Sequence, residues 1–113
     1  MMIDTSAILA ILFDEPERKP FSVAILRSAE RKMSAPNFLE ASMLALARRG
    51  EDGQRMLDLL IAKLGIEIVP FTVAQGQVAR SAFKRFGKGR HQAGLNFGDC
   101  IAYAAAVDYR EAH

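Results

Sequence analysis

Three acidic residues stand among apolar residues, where an unpartnered carboxylate is costly. Asp4 ends the apolar opening "MMID", Glu40 lies within "NFLEASML", and Asp99 lies within "LNFGDCIAYAAA". A carboxylate at the edge of a core costs several kcal/mol unless it is paired, hydrogen-bonded or bound to a metal ion. Each of the three acids therefore needs a partner, and the partner decides its role.

Local structure offers one set of partners. Asp4 could cap the helix that begins near Ala7, and Asp99 could complete a capping box with Asn96 three residues before it. Glu40 lies well past the start of its helix, so a structural role would require a buried arginine partner. Both the structural and the chemical explanations remain open for Asp4 and Asp99.

Taken together, the three acids point to a metal site. Carboxylates without a His/Cys cluster favour a hard cation such as Mg²⁺ or Mn²⁺. Such an ion lowers the pKa of a bound water and neutralises charge that develops on a phosphate. A small phosphatase or nucleotide-binding domain is a more distant alternative, because the sequence has no phosphate loop or nucleophile motif.

The basic residues are concentrated in one part of the chain. Residues 68–98 contain no Asp or Glu, and this window carries Arg80, Lys84, Arg85, Lys88 and Arg90, with His91 after them. A solvated helix face and a surface for phosphates explain this pattern about equally well. In the second case Lys84, Arg85, Lys88 and Arg90 are the candidate nucleic-acid-binding residues, since basic groups beside an acidic metal site suit cleavage of a nucleic-acid backbone.

Hydrophobic periodicity and capping residues predict strands alternating with pairs of helices. We expect strands at residues 1–4, 31–34 and 66–69, and helices at residues 7–13, 20–30, 35–50, 51–64, 73–86 and 97 to about 107. This order is typical of a parallel sheet covered on both faces. Sites in such folds lie at the carboxyl ends of the strands, and Asp4 ends the first strand.

Length and composition indicate one small domain. The chain has 113 residues, half of them hydrophobic and a quarter charged, with a net charge of +2. No apolar run approaches the ~20 residues of a membrane span, and the N-terminus does not resemble a signal peptide. The single cysteine, Cys100, excludes an internal disulfide. We therefore expect a cytoplasmic protein that does not contact the membrane.

The stretches "MIDTSAILAILFDEPE", "MSAPNFLEASM" and "GKGRHQAGLNFGDCIAYAAA" resemble a PIN-domain ribonuclease of the VapC toxin type. They come in the family's order and spacing and span almost the whole chain. The resemblance implies a three-layer α/β/α fold with a parallel sheet. It also implies that Asp4, Glu40 and Asp99 hold Mg²⁺ or Mn²⁺, and that Ser6, with Thr5, supports the first acid.

The same resemblance implies a function and partners. The family cleaves RNA endonucleolytically, tRNA among its substrates, through a metal-activated water that leaves a 3′-hydroxyl and a 5′-phosphate. A cognate VapB antitoxin inhibits it by inserting its C-terminal segment into the active-site groove. Members form homodimers and reach DNA only through the antitoxin.

The sequence departs from the family pattern at its end. After Ala106 it reads "VDYREAH", where the family continues through a further strand and a loop with a fourth acid. We therefore expect residues 1–113 to form a single, C-terminally shortened PIN domain whose first strand exposes an edge. The alternative function is a catalytically impaired PIN protein that dimerises or binds an antitoxin.

Overall fold

The protein is a parallel α/β fold with most of its mass in helices. Its structure, a computed structural model, describes residues 1–16 and 18–112. Over those residues the elements are α1 Thr5–Leu12, α2 Arg18–Arg27, β1 Lys32–Ser34, α3 Ala35–Lys63, β2 Glu67–Val69, α4 Val73–Phe86 and α5 Phe97–Ala112. Strands β1 and β2 pair in parallel, with Met33 opposite Ile68. The predicted alternation of strands and helices is confirmed.

Two hydrophobic clusters flank the sheet. The larger joins α1, α2 and α3 around fully buried side chains such as Ile8, Met33 and Leu57. The smaller joins α4 and α5 around Ala79, Cys100 and Ala104. Because β1 contacts both α3 and α5, the sheet lies between the two helical groups. None of the helices described is both long and apolar enough to cross a lipid bilayer.

The first predicted strand is shorter than expected. Met2 forms a single parallel bridge with Lys32, made by bonds from the Ile3 N–H to the Lys32 carbonyl at 2.7 Å and from the Lys32 N–H to the Met1 carbonyl at 2.9 Å. Helix α1 begins at Thr5, so the chain leaves the sheet after one pair. The N–H and carbonyl of Met2 themselves bond none of the described residues.

Helix α3 contains the break that the sequence predicts at Gly50. Gly50 has φ 62° and ψ −153°, a conformation that only glycine adopts without strain. The helix resumes at the next residue, so the two predicted helices form one kinked element. Its first half carries Glu40, and its second half supplies Leu57 and Ile61 to the larger core.

The capping predictions for the last two helices are confirmed. Thr72 caps α4, since its hydroxyl accepts a hydrogen bond from the Gln75 N–H at 3.1 Å. Helix α5 continues beyond the predicted end near residue 107 as far as Ala112. This extension contacts other elements: the Gln75 amide donates to Asp108 at 2.8 Å, and the Lys32 ammonium lies 5.3 Å from the Tyr109 ring centre.

Candidate active site

The three predicted acids line one pocket. Asp4 comes from the start of α1, Glu40 from the first half of α3 and Asp99 from the start of α5. The pocket has a volume of about 180 Å³, and its remaining walls are Thr5, Ser6, Leu9, Leu44, Asn96 and Gly98. The fold thus gathers side chains that are 95 residues apart in sequence, from Asp4 to Asp99.

Asp4 caps a helix and also faces the pocket. Its Oδ1 accepts a hydrogen bond from the Ala7 N–H at 2.8 Å, as an N-cap carboxylate does. That bond uses one carboxylate oxygen and fixes the side-chain orientation. The structural and chemical explanations are therefore compatible, because the second oxygen makes no hydrogen bond to any residue that the structure describes.

Asp99 also both caps a helix and faces the pocket. Its Oδ2 accepts from the Asn96 N–H at 3.0 Å, while the Asn96 Oδ1 accepts from the Asp99 N–H at 2.9 Å. This reciprocal pair is the predicted capping box. It holds the carboxylate at the N-terminus of α5, next to the pocket, with one oxygen outside the capping bonds.

Glu40 lacks the arginine partner that a structural role requires. Within residues 1–16 and 18–112 its carboxylate makes no hydrogen bond and no ion pair. It lies over Gly98, where an added Cβ would come within 2.6 Å of Oε1. Glycine at this position therefore gives the Glu40 carboxylate its place beside Asp99.

Helix dipoles offset part of the negative charge in the pocket. The pocket walls include three acids and no Lys or Arg. Asp4 and Asp99 both lie at helix N-termini, whose exposed N–H groups carry partial positive charge. Glu40 has no such compensation, so the helix dipoles offset the charge of the three acids only in part.

The donors fit a hard cation in type, although they are not gathered around one point. In the described part of the chain, no three His, Cys, Asp or Glu side chains form a group that could hold a metal ion as they stand. Mg²⁺ keeps several waters and needs only one or two direct carboxylates. A pocket of about 180 Å³ leaves room for such a hydrated ion.

The two predicted supporting hydroxyls differ in position. Ser6 is exposed at the pocket wall. Thr5 is buried, and its hydroxyl bonds Asn37 rather than Asp4. The hydroxyl donates to the main-chain carbonyl of Asn37 at 3.1 Å and lies 3.4 Å from the side-chain Nδ2 of the same residue. Sequence reasoning missed Asn37, because an Asn in the first turn of a helix usually faces solvent.

Comparison with known proteins identifies the family. A model of the PIN domain matches residues 1–112. The chain belongs to the PIN-domain family. Within this family it is 44% identical to Ribonuclease VapC of Mycolicibacterium smegmatis over 94% of the chain and 82% of that protein. It is 43% identical to Ribonuclease VapC30 of Mycobacterium tuberculosis over 94% and 81%, and 42% identical to Ribonuclease VapC28 of the same species over 98% and 84%.

These relatives make the chain a VapC-type PIN domain, as the motifs predicted. The PIN domain's four candidate RNA-binding residues are all exposed, and they lie outside the pocket walls. Lys84 and Arg85 are in the last turn of α4, and Lys88 and Arg90 are in the loop that follows. A bridge between Gly87 and Leu95 closes this loop directly before Asn96, which is itself a pocket residue.

Proposed function

We propose that this chain is the metal-dependent endoribonuclease toxin of a VapBC module, folded as a single PIN domain over residues 1–113. It hydrolyses RNA phosphodiester bonds with the help of Mg²⁺ or Mn²⁺. The observation that carries the proposal is the common pocket of Asp4, Glu40 and Asp99 in a VapC-type ribonuclease.

The three acids would hold the cation, and each has a suitable environment. When bound, Mg²⁺ or Mn²⁺ lowers the pKa of a water molecule and neutralises charge on the scissile phosphate. Asp4 and Asp99 keep fixed orientations because backbone N–H groups bind one oxygen of each. Glu40, which has no partner within the described residues, is the acid most able to adjust its position to the ion.

The basic side chains are proposed to bind the flanking RNA phosphates. Lys88 and Arg90 project from a loop whose base is one residue from Asn96 at the pocket. Lys84 and Arg85 extend the same positive surface onto α4. Such contacts position the RNA without reading its sequence, so they suit RNAs of different sequence, and we include tRNA among the proposed substrates.

Protein partners are proposed on the basis of exposed apolar surface. Phe71, Phe83, Phe97 and Ile101 line an apolar groove of about 510 Å³ beside α4 and α5, with Phe97 75% exposed. Monomers rarely leave such surfaces open, which supports a homodimer. We further propose that a cognate VapB antitoxin inhibits the pocket and alone provides contact with DNA, in the cytoplasm.

A second function has a specific observation in its favour. The three acids as they stand do not form a cluster that could hold a metal ion in the described part of the chain. The same fold could therefore bind an antitoxin or a second copy without cutting RNA. Cation binding separates the two functions, because only the nuclease depends on it.

The decisive experiment is cleavage of a labelled tRNA pool with Mg²⁺, with Mn²⁺ and with chelator. Asp4→Asn is the control variant, because Asn caps helices as well as Asp does while it removes the charge. We expect discrete metal-dependent cuts from the wild type, none from Asp4→Asn, and equal thermal stability of the two proteins. A folded wild type that makes no cuts would favour the binding function.

A further inference from the structure

Asn37 lies at the junction of the three elements that carry the acids. Its side-chain Nδ2 donates to the Gly98 carbonyl at 3.1 Å and lies 3.4 Å from the Thr5 hydroxyl. The Thr5 hydroxyl in turn donates to the main-chain carbonyl of Asn37 at 3.1 Å. We call these three bonds the amide clip.

Each end of the amide clip is next to a candidate acid. Thr5 directly follows Asp4, and Gly98 directly precedes Asp99. Asn37 itself is one helical turn before Glu40 on α3, since residues three apart lie on one face of a helix. The Asn37 side chain therefore connects the helix of Glu40 to the Thr5 hydroxyl, next to Asp4, and to the Gly98 carbonyl, next to Asp99.

The orientation of the amide is fixed by its partners. Only an N–H can face the Gly98 carbonyl, so the Nδ2 must point to α5 and the Oδ1 must point away. The side chain is 1% exposed, and its Oδ1 accepts no hydrogen bond from the described residues.

The bonds that the Asn37 amide donates join three separate elements. Through the Gly98 carbonyl and the Thr5 hydroxyl, the amide holds the starts of α5 and α1 at a fixed distance from α3. The Asn37 side chain therefore acts at this junction through its N–H groups.

We propose that Asn37 is a positioning residue for the cation site, acting through Thr5 and Gly98 on Asp4 and Asp99. This inference rests on the proposed function, since it assigns Asn37 to the same pocket. Asn37 does not line the pocket, so it acts only through the elements that it joins.

Gln75 provides a matched control. It is 2% exposed, its amide donates to Asp108 at 2.8 Å, and its Oε1 is also unpaired among the described residues. It joins α4 to α5 away from the three acids. Gln75→Ala therefore removes an equally buried amide without loosening the amide clip.

The test compares the wild type, Asn37→Ala and Gln75→Ala by Mn²⁺ binding, followed by electron paramagnetic resonance of the free ion, and by RNA cleavage. We expect Asn37→Ala to weaken Mn²⁺ binding by about 10–100-fold, the usual effect of losing a residue that orients metal ligands. It should lower kcat and leave KM for RNA unchanged. Gln75→Ala should match the wild type in both assays.

The outcomes for Asn37 and for the proposed function are distinguishable. Equal Mn²⁺ affinity in Asn37→Ala and Gln75→Ala overturns the inference, even if both cleave RNA. A wild type that binds Mn²⁺ without cutting RNA overturns the proposed function, while the Mn²⁺ affinities still decide the role of Asn37. A wild type that binds no Mn²⁺ overturns the inference as well, because there is no site to position.

Folding of the variant does not limit the test. If Asn37→Ala fails to fold, Thr5→Val tests the α1 side of the amide clip, because it removes both bonds of the Thr5 hydroxyl and leaves the bond from Asn37 to Gly98 in place. We expect it also to weaken Mn²⁺ binding relative to Gln75→Ala. Wild-type affinity in Thr5→Val would then overturn the inference.

Discussion

Replacing Gly98 by alanine tests whether the position of the Glu40 carboxylate matters. The added Cβ would lie 2.6 Å from Oε1, short of the 3.4 Å at which ordinary van der Waals contact begins, so the carboxylate must withdraw by about 0.8 Å. Glu40 is flexible at its far end, and the helix backbone of α5 can stay in place. The change therefore moves a single functional group.

Gly98→Ala should change stability little while it lowers activity. Alanine is favoured over glycine inside a helix by about 0.5–1 kcal/mol, which offsets a comparable cost of moving Glu40 off its preferred rotamer. We expect the free energy of unfolding in urea to change by less than about 1 kcal/mol. A displacement approaching 1 Å in a catalytic group lowers rates by up to about 10²-fold, so we expect metal-dependent cleavage to fall by one to two orders of magnitude.

The control for this experiment is Gly76→Ala in α4. The nearest atom to its added Cβ is 3.8 Å away, on the Phe71 ring, so the methyl group has room. We expect a small gain in stability and wild-type cleavage. If Gly98→Ala is folded and cleaves RNA at the wild-type rate, Glu40 has no role that depends on its observed position, and our assignment of the site is wrong.

Two further predictions concern charge. The double variant Lys88→Glu and Arg90→Glu should raise KM for RNA, leave kcat unchanged and reduce the dependence of KM on salt. The control, Lys19→Glu on α2, should leave KM and its salt dependence unchanged. Equal effects of the two changes on KM would exclude the loop as a phosphate contact. Burial, and to a smaller extent Asp99, raises the pKa of the Cys100 thiol above its usual 9.0. The thiol of the unfolded chain then ionises at a lower pH than that of the folded chain, so the free energy of unfolding should fall as the pH rises through about 9. Urea titrations at about pH 8 and about pH 10 should show a smaller fall in this free energy for Cys100→Ala than for the wild type. An equal fall in the two proteins would contradict this reasoning.

Most element boundaries were predictable because their signals are local. Thr72 and Asn96 cap helices by bonding N–H groups three residues away, and Gly50 breaks α3 through its own backbone angles. The motifs around Asp4, Glu40 and Asp99 likewise identified the family. Such signals act over a few residues and leave a direct trace in the sequence.

The length of the first strand depended on a competition that the sequence does not resolve. Residues 1–4 have the apolar pattern of a strand, and Asp4 has the preference of a helix cap. The cap bond to Ala7 starts α1 at once, which limits pairing with β1 to one bridge at Met2. Packing of α1 against α2 and α3 favours the helix.

The sequence by itself predicted the three acids that line the pocket, the helices that carry them and the family to which the chain belongs. Only the tertiary structure decided that Asp4 and Asp99 serve as caps and pocket walls at once, that Glu40 lies over Gly98, and that Asn37 holds the three elements together. The bonds of Asn37 join residues 32 and 61 positions apart. Contacts at that separation arise from packing of the whole chain, and an isolated Asn in a helical pattern carries no sign of them.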